Sequence, residues 1–410
     1  MNSSLSNYLP IVGPQVINEL EVLSQSLKGT RIKHINSTAV GGGVAEILIR
    51  MMGLGKDLGL EMTWDVIRGN DAFYQVTKAM HNAFHGTPFQ FTPEMWDSYR
   101  ATTEENIKTL DLNADVFLIH DPQPAALVTE RTRTGGKWIW RCHIDLSNRQ
   151  PAPWEFIEPF VARYDAAVFS SPKYIQNLLM PEVLIPPSID PLSDKNRDLP
   201  PEFVTSVLER FNIDPKRPIL TQISRFDRLK DPIGVCRVYQ VVKKSIPELQ
   251  LVLAGGGASD DPEGAEVLAE VREAAGNDPD IHILELPPTA NMEINALQHG
   301  STIVMQKSLK EGFGLTVSEG MWKGKPVVAS AVGGIVSQIH HGITGELVHS
   351  ESGAAQSVKK LLVNPDYAKQ LGIAAKEHVR NNFLLTRHLK DYMLLFLFVM
   401  KGSRQGIISG

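Results

Sequence analysis

Two glutamates eight residues apart flank a glycine-rich turn in the second half of the chain. Glu311 is followed directly by Gly312-Phe313-Gly314, and Glu319 lies five residues beyond the last of these glycines. A glycine-rich turn that leads into a helix presents backbone N–H groups to a phosphate or a sugar hydroxyl. Carboxylates suit sugar and ribose hydroxyls, because each accepts charge-assisted hydrogen bonds. The pattern predicts a binding turn, with Glu311 in the loop and Glu319 in the helix that follows.

The same two glutamates allow other interpretations. A pair of carboxylates could serve as the acid and the nucleophile of a glycosidase. A position for Glu319 on a helix, beside a phosphate-type turn, argues against that role. Two unrelated surface acids are the remaining alternative, and the glycines between them argue against it.

A basic loop, SRFDRLKD at residues 224–231, follows a predicted strand at 219–223. Ligands of open α/β sheets collect at the carboxyl ends of the strands. Arg225 with its planar fork and Lys230 with its point charge could together hold a diphosphate. The alternative is a solvated loop in which Asp227 and Asp231 neutralise these cations at the surface.

A second glycine-rich turn, Gly41-Gly42-Gly43, follows a weak predicted strand at 32–35 and precedes a helix. Its N–H groups and the helix N-terminus favour an anion. The dinucleotide fingerprint G-x-G-x-x-G fails here, because Glu46 stands where the third glycine belongs. A tight turn without a ligand remains open, and a dinucleotide-dependent oxidoreductase is the competing class, which an assay of NAD(P)H turnover would detect.

A histidine follows another predicted strand. His143 comes directly after the predicted strand at 137–142, a position that points to a ligand site by the same strand-end rule. It could bind a sugar hydroxyl or share in proton transfer. His120, which precedes Asp121 at the end of the strand before, is a second and weaker candidate for the same wall. A structural histidine is the alternative in both cases.

The elements that must position these residues alternate between strands and helices. Strands are predicted at 115–120, 137–142, 166–170, 219–223, 249–254, 281–284, 301–305 and 326–329. Many of them are apolar at consecutive positions, as in strands covered on both faces. Between them lie helical patterns, such as the apolar stripe at residues 44, 47, 48, 51 and 52. This alternation predicts parallel sheets with crossover helices.

Length and a proline-rich segment predict two domains. A chain of 410 residues exceeds one ordinary core, and residues 185–191 carry three prolines, which suit neither helix nor sheet. We therefore expect a first domain at 1–187, a second at 188–385, and a C-terminal helix or tail at 386–410 that packs back on the first. A cleft between two such α/β domains is the expected ligand site.

Composition narrows the class of protein. The net charge of −5 carries no electrostatic footprint for nucleic acid. Cys142 and Cys236 have no metal-ligand spacing. The first residues show no basic region followed by an apolar run, which a secretory signal would have. The apolar run at 393–400 is far short of the roughly 20 residues that span a bilayer. We expect a cytoplasmic protein without membrane insertion and without a metal site; oligomeric state is not encoded in any visible pattern, and a homodimer stays open.

Together, SRFDRLKD, the stretch EGFGLTVSE at 311–319 and the triple glycine resemble the retaining glycosyltransferases of family four. The resemblance covers essentially the whole chain. It implies the GT-B fold, in which two Rossmann-like domains face each other across a deep cleft, and it implies no divalent metal and no cofactor. NSTAVGGGVAE at 36–46 and WRCHIDLS at 140–147 resemble, within that family, the trehalose glycosyltransferring synthases and the related retaining trehalose phosphorylases.

The resemblance assigns roles to the motif residues. Arg225 and Lys230 would bind the donor diphosphate, and Glu319 the ribose hydroxyls. Glu311 would contact the transferred sugar, and His143 would lie on the opposite wall. Main-chain N–H groups of the turn would hold the donor sugar and phosphate, from Gly312, Phe313, Gly314, Leu315 and Thr316.

The implied reaction joins NDP-glucose and glucose into trehalose with release of NDP, reversibly. UDP-glucose and ADP-glucose are both candidate donors, since no motif reads the base. The presence of all three residues assigned to the diphosphate and the ribose, Arg225, Lys230 and Glu319, favours a nucleotide donor over the inorganic phosphate of a phosphorylase. A phosphorylase, a transferase with another acceptor, and a non-catalytic sugar-binding protein on the same scaffold remain alternatives.

Overall fold

A computed structural model describes residues 4–39, 42–256 and 262–402, which form two compact units. Unit 1 contains the described residues up to Pro187 and those from Leu385 onward, and unit 2 runs from Ser188 to Leu384. Each unit is built around one parallel sheet.

The sheet of unit 1 has six strands, all parallel, in the order β2-β1-β3-β4-β5-β6. They are β1 (Arg31–Asn36), β2 (Glu61–Val66), β3 (Val116–His120), β4 (Lys137–Arg141), β5 (Ala166–Phe169) and β6 (Glu182–Leu184).

The sheet of unit 2 also has six parallel strands, in the order β12-β11-β10-β7-β8-β9. They are β7 (Ile219–Ile223), β8 (Gln250–Gly255), β9 (Ile281–Glu285), β10 (Ile303–Gln306), β11 (Val327–Ser330) and β12 (Glu346–Val348).

Helices connect the strands in both units. Those before Pro187 are α1 (Leu9–Ser26), α2 (Gly42–Asp57), α3 (Asp71–Phe84), α4 (Pro93–Thr109), α5 (Arg131–Thr134) and α6 (Pro151–Val161). Unit 2 contributes α7 (Pro201–Arg210), α8 (Pro232–Lys243), α9 (Pro262–Ala275), α10 (Asn291–Gly300), α11 (Leu315–Trp322), α12 (Glu351–Val363) and α13 (Pro365–Asn382), and α14 (Leu385–Lys401) ends the described chain. Short 3-10 turns lie at Leu5–Tyr8, Ala125–Glu130, Pro172–Tyr174, Arg228–Lys230 and Gly333–Ser337.

The predicted α/β class with parallel sheets is confirmed. Strands β3 and β7 are buried at every position, as strands covered on both faces must be. The apolar stripe predicted after the second glycine run lies on α2, where Leu48 and Met51 are each 1% exposed. Within the described ranges no helix has the length and apolar character to cross a membrane.

Three strands escaped prediction, and all three lie at sheet edges. β2 and β6 close the two sides of the first sheet, and β12 closes one side of the second. β2 and β6 have only intermediate and exposed positions, and the middle residue of the three in β12 is partly exposed, so all three lack the continuous buried run of the central strands.

The last helix, α14, is part of unit 1 although it follows unit 2 in the chain. It packs against α1 and α2 and buries Leu389, Met393 and Phe396. Lys390 donates to Glu19 of α1 at 2.6 Å, and Arg387 donates to the backbone carbonyl of Pro186 at 2.8 Å. The helix thus covers part of unit 1 with its apolar face and fixes its own first turn to the end of that unit.

Candidate active site

The turn before α11 has the geometry that its glycines predicted. Gly314 lies in the left-handed region with φ +83°, and α11 begins at the next residue without a side-chain cap. The first N–H groups of a helix have no acceptor inside it and carry positive potential. Glu311 precedes the helix and Glu319 lies within it, as expected. The backbone here can accept an anionic or hydroxyl-bearing ligand.

Two of the predicted site residues meet directly. Lys230 ends the 3-10 turn after β7 and donates from Nζ to Oε2 of Glu311 at 2.6 Å. Ser308 Oγ donates to the same carboxylate oxygen at 3.1 Å. Both side chains are largely buried, with 19% of Lys230 and 11% of Glu311 exposed, so the pair is only weakly screened by water. The fold brings a cation and an acid from strands β7 and β10 to one edge of the sheet.

Arg225 takes a different position from Lys230. Its side chain is 66% exposed, and its guanidinium lies 3.3 Å from Asp227. It is therefore a solvent-facing cation on the loop, free to change rotamer at small cost.

Asp231 does not neutralise the basic loop at the surface, as one alternative held. Its carboxylate accepts from Gly234 N at 3.0 Å and so caps α8, and it pairs with Lys307. Asp231 itself adopts a left-handed conformation with φ +48°, which closes the turn. The residue is structural, since it ends one turn and begins a helix.

Glu319 is more deeply buried than expected for a residue that faces a ligand. Its side chain is 2% exposed, it accepts from Gln298 Nε2 at 3.3 Å, and Lys195 Nζ lies 3.8 Å away. Lys323, one turn along α11, is buried beside it, and burial lowers the pKa of Lys323 to about 7 although the Glu319 charge opposes this. The carboxylate of Glu319 is thus already engaged at the base of α11.

Two glutamines that belong to none of the sequence motifs stabilise the turn before α11. Gln338 accepts from Ser318 Oγ at 2.5 Å and donates to the carbonyl of Phe313, which ties the turn to α11. Gln306 accepts from Thr316 Oγ1 at 2.8 Å and donates to Ser308 Oγ at 2.9 Å. Sequence reasoning missed both; a glutamine at the end of a fully buried strand, as Gln306 is in β10, was the available signal.

Other glycine and aromatic positions are placed as follows. Gly41 lies outside the described residues, and Gly42 and Gly43 open α2. The Phe313 side chain is buried and packs edge-on against Phe383 at 5.7 Å between ring centroids, so only its backbone can serve a ligand.

In unit 1, Asp121 and His143 are joined through the backbone. Asp121 Oδ1 accepts from His143 N at 2.7 Å, and Asp121 adopts φ +66°. Burial raises the pKa of the Asp121 carboxyl to about 7, against the opposing effects of that hydrogen bond and of the Arg141 charge. Arg141 is fully buried and donates to Ser170 Oγ at 3.0 Å. His143 therefore stands on a loop that is fixed by an acid and flanked by a buried cation.

Three histidines from neighbouring strands form a chain. His34 Nδ1 lies 3.1 Å from His120 Nε2, and His120 Nδ1 lies 3.1 Å from His143 Nε2. His34 and His120 are 0% and 2% exposed, so His120 contacts His143 rather than forming part of the wall itself. Burial lowers the pKa of His34 to about 3 and lowers those of His120 and His143 well below their usual range. Within the described residues no group of three His, Cys, Asp or Glu side chains is arranged to hold a metal ion.

Sequence comparison now defines the class of protein. A family described as "Glycosyl transferases group 1" matches residues 205–378, which include the Lys230–Glu311 pair and α11. A second family, "Trehalose synthase, N-terminal domain", matches residues 34–176, which include His34, His120 and His143. The chain is a glycosyltransferase.

The relatives narrow that class. The chain is 44% identical over 394 residues to the trehalose synthase of Pyrococcus horikoshii, covering 95% of each chain, and 43% identical to that of Rubrobacter xylanophilus, covering 96% of this chain and 97% of that one. It belongs to the trehalose synthase family. The trehalose phosphorylase of Pleurotus pulmonarius is a more distant relative, 25% identical over 98% of this chain and 61% of its own.

Solved structures agree on the fold. The UDP-forming α,α-trehalose-phosphate synthase of Burkholderia xenovorans superposes with a TM-score of 0.72 at 14% identity, over 92% of this chain and all of that one. The sucrose-phosphate synthase of Thermosynechococcus elongatus gives 0.69 at 17% identity, over 90% of this chain and 99% of that one. The expected GT-B fold is confirmed.

Proposed function

We propose that the protein transfers glucose from an NDP-glucose to glucose with retained configuration, giving α,α-trehalose and NDP in a reversible reaction. The observation that carries the proposal is the 2.6 Å contact between Lys230 and Glu311 beside the N-terminus of α11. It stands in a chain 44% identical to a trehalose synthase.

Donor binding would redistribute this pair. Lys230 would turn to the diphosphate, because a phosphate carries more negative charge than one carboxylate. Glu311 would then accept from hydroxyls of the transferred glucose. Arg225, which is exposed on its loop, would supply a second cation. The main-chain N–H groups of residues 312–316 would hold the remaining phosphate and sugar oxygens.

Glu319 would bind the ribose hydroxyls. For this, the hydroxyls replace Lys195 as the neighbour of the carboxylate, while Gln298 keeps it in place. A hydroxyl donates a hydrogen bond without the desolvation of a second charge, so the exchange is chemically reasonable. This role predicts that Glu319 acts on nucleotide affinity and Glu311 on sugar transfer.

The transfer itself would take place on one face of the sugar. The bond from the anomeric carbon to the NDP oxygen breaks, the acceptor oxygen bonds to the same face, and the acceptor proton passes to the departing phosphate. Lys230, Arg225 and the α11 N-terminus would stabilise the charge that develops on NDP. Glu311 and His143 would position the sugar rather than attack it, and no metal ion is required.

Product analysis tests the reaction. The protein is incubated with glucose and, separately, UDP-glucose, ADP-glucose or GDP-glucose, and the disaccharide and the released nucleotide are identified. We expect α,α-trehalose and NDP, with activity undiminished by EDTA. Trehalose breakdown that requires inorganic phosphate and releases glucose 1-phosphate would instead identify a phosphorylase, and a strict metal requirement would contradict the metal-free scheme.

Calorimetric titration with NDP tests the residue roles. Glu319→Ala should weaken NDP binding more than Glu311→Ala does, because only Glu319 is assigned to the nucleotide. The reverse order would exchange the two assignments.

A further inference from the structure

The contacts among His34, His120 and His143 constrain which ring nitrogen of each histidine carries the proton. A neutral imidazole has one nitrogen that donates and one that accepts. His120 uses Nε2 toward His34 and Nδ1 toward His143, both at 3.1 Å. If His120 carries its proton on Nδ1, His143 must accept at Nε2 and His34 must donate from Nδ1. If His120 carries it on Nε2, both neighbours must reverse. The three rings therefore share one tautomer.

The ring planes support such coupling. His34 and His120 are inclined by 22° and His120 and His143 by 13°, with centroids 5.4 Å apart in both pairs. Nearly parallel rings displaced by this distance place each N–H close to the plane of the next ring, where the acceptor lone pair lies. The contacts are thus hydrogen bonds between ring edges rather than face-to-face stacks.

His34, at the far end of the three-histidine chain, selects between the two tautomeric states. His34 Nε2 is buried and has no hydrogen-bond partner among the described residues. A buried N–H without a partner is rarer in proteins than an under-satisfied acceptor. The state with a lone pair on His34 Nε2 is therefore favoured, and in that state all three rings carry their proton on Nδ1.

We propose that His120, backed by His34, is a positioning residue that fixes His143 in the Nδ1–H tautomer, so that His143 meets a sugar hydroxyl as a hydrogen-bond donor. His143 Nε2 is occupied by His120, which leaves Nδ1 as the nitrogen for a ligand. An Nδ1–H group orients a hydroxyl oxygen and cannot take up its proton. The inference rests on the proposed role of His143 in sugar binding.

The charged and titratable groups around the chain keep this arrangement neutral. Arg141 is buried on the neighbouring strand, Asp121 accepts from the His143 backbone, and His388 faces the chain from α14. A second proton on His120 or His143 would make the ring cationic in the field of Arg141, which disfavours it. The three histidines therefore fix one another's tautomer and remain neutral.

Long-range proton–nitrogen NMR of the full-length protein, labelled with ¹⁵N-histidine, reads the tautomers directly. The twelve histidines include the three of interest, which are assigned from their loss in single variants. We expect His34, His120 and His143 all in the Nδ1–H form. His143 in the Nε2–H form in the wild-type protein would overturn the inference without any variant.

Substitutions test the coupling. His120→Phe keeps a ring but removes both nitrogens, so His143 should become a mixture of tautomers and kcat/KM for sugar transfer should fall about tenfold, as for one ordinary hydrogen bond. His120→Asn places an amide at the Nδ1 position and should restore one tautomer and most of the activity. NDP affinity should stay unchanged in both, and the exposed His349→Asn serves as the matched control.

The outcomes separate the two proposals. An unchanged single tautomer of His143 in the His120→Phe variant would overturn the tautomer coupling, whatever its activity. Wild-type transfer by His143→Ala, with the expected spectra, would instead remove the role of His143 in the proposed function.

Discussion

Lys230 is the residue on which the proposed donor site most depends. It is largely buried and pairs with Glu311, so its replacement removes a cation from beside that carboxylate. We expect Lys230→Ala to weaken NDP binding by about 2 kcal/mol, the cost of one charge-assisted hydrogen bond, and to reduce turnover sharply. Calorimetry measures the affinity and product assays the rate. Lys244→Ala, at an exposed position after α8, is the matched control, and NDP affinity unchanged in Lys230→Ala would remove the phosphate role.

Asp121 gives unit 1 a pH-dependent stability. Burial raises its folded pKa from 3.8 to about 7, so the folded protein holds a proton that the unfolded chain releases. The stability that this group contributes is fully present below about pH 4 and is lost as the pH rises through about 7. Asp121→Asn should therefore gain stability relative to the wild type across this range.

Denaturant unfolding between pH 4 and 8 measures this effect. Tryptophan fluorescence reports mainly on unit 1, because five of the six tryptophans precede Pro187. A difference between Asp121→Asn and wild type that does not change with pH would contradict the raised pKa.

The turn into α11 is the element whose backbone matters most. Gly314 has φ +83°, and a Cβ there would stand 3.1 Å from Glu311 Cγ. Gly314→Ala should cost about 1–2 kcal/mol in backbone conformation and should also displace Glu311 and weaken donor binding. Gly276→Ala is the control within unit 2, since it has φ +60° and no atom within 4 Å of the new Cβ. Equal donor affinity in the two variants, by calorimetry, would show that the turn is not part of the site.

At the scale of strands, the sequence pattern predicted the centre of each sheet and the edge strand β9, and it failed at the other three edge strands. β7 was predicted at its observed bounds because its five residues are all buried. β12, with three residues at the rim of its sheet, has too little apolar surface to differ from a loop. A strand that is buried on both faces has a continuous apolar sequence, whereas a short strand at the edge of a sheet need not.

The site followed the same division. Glu311, Glu319 and Lys230 belong to local motifs, so their type and spacing were visible. His34 and Gln338 act through partners 86 and 20 residues away, His120 and Ser318. Contacts of that kind depend on strand order and helix docking, which no short window of sequence contains.

At the scale of the whole molecule, the final helix ties the end of the chain to its beginning. Phe396 of α14 is 0% exposed, so Phe396→Ala should cost about 3–5 kcal/mol in the unfolding free energy of unit 1. Phe398, two residues along the same helix, is 49% exposed, and Phe398→Ala should stay within about 0.5 kcal/mol of wild type. Fluorescence-monitored unfolding compares them, and similar losses would mean that α14 does not pack on unit 1 as described.

Along the sequence, unit 2 is one uninterrupted stretch that separates the two segments of unit 1. Its two ends are held together, since Ile189 N donates to Phe383 O at 2.9 Å and Ile189 bridges Leu384. During synthesis, all of unit 2 leaves the ribosome before α14 does, whereas unit 1 is complete only when α14 can pack on α1 and α2. The part of the protein that is translated first is thus the part that finishes folding last.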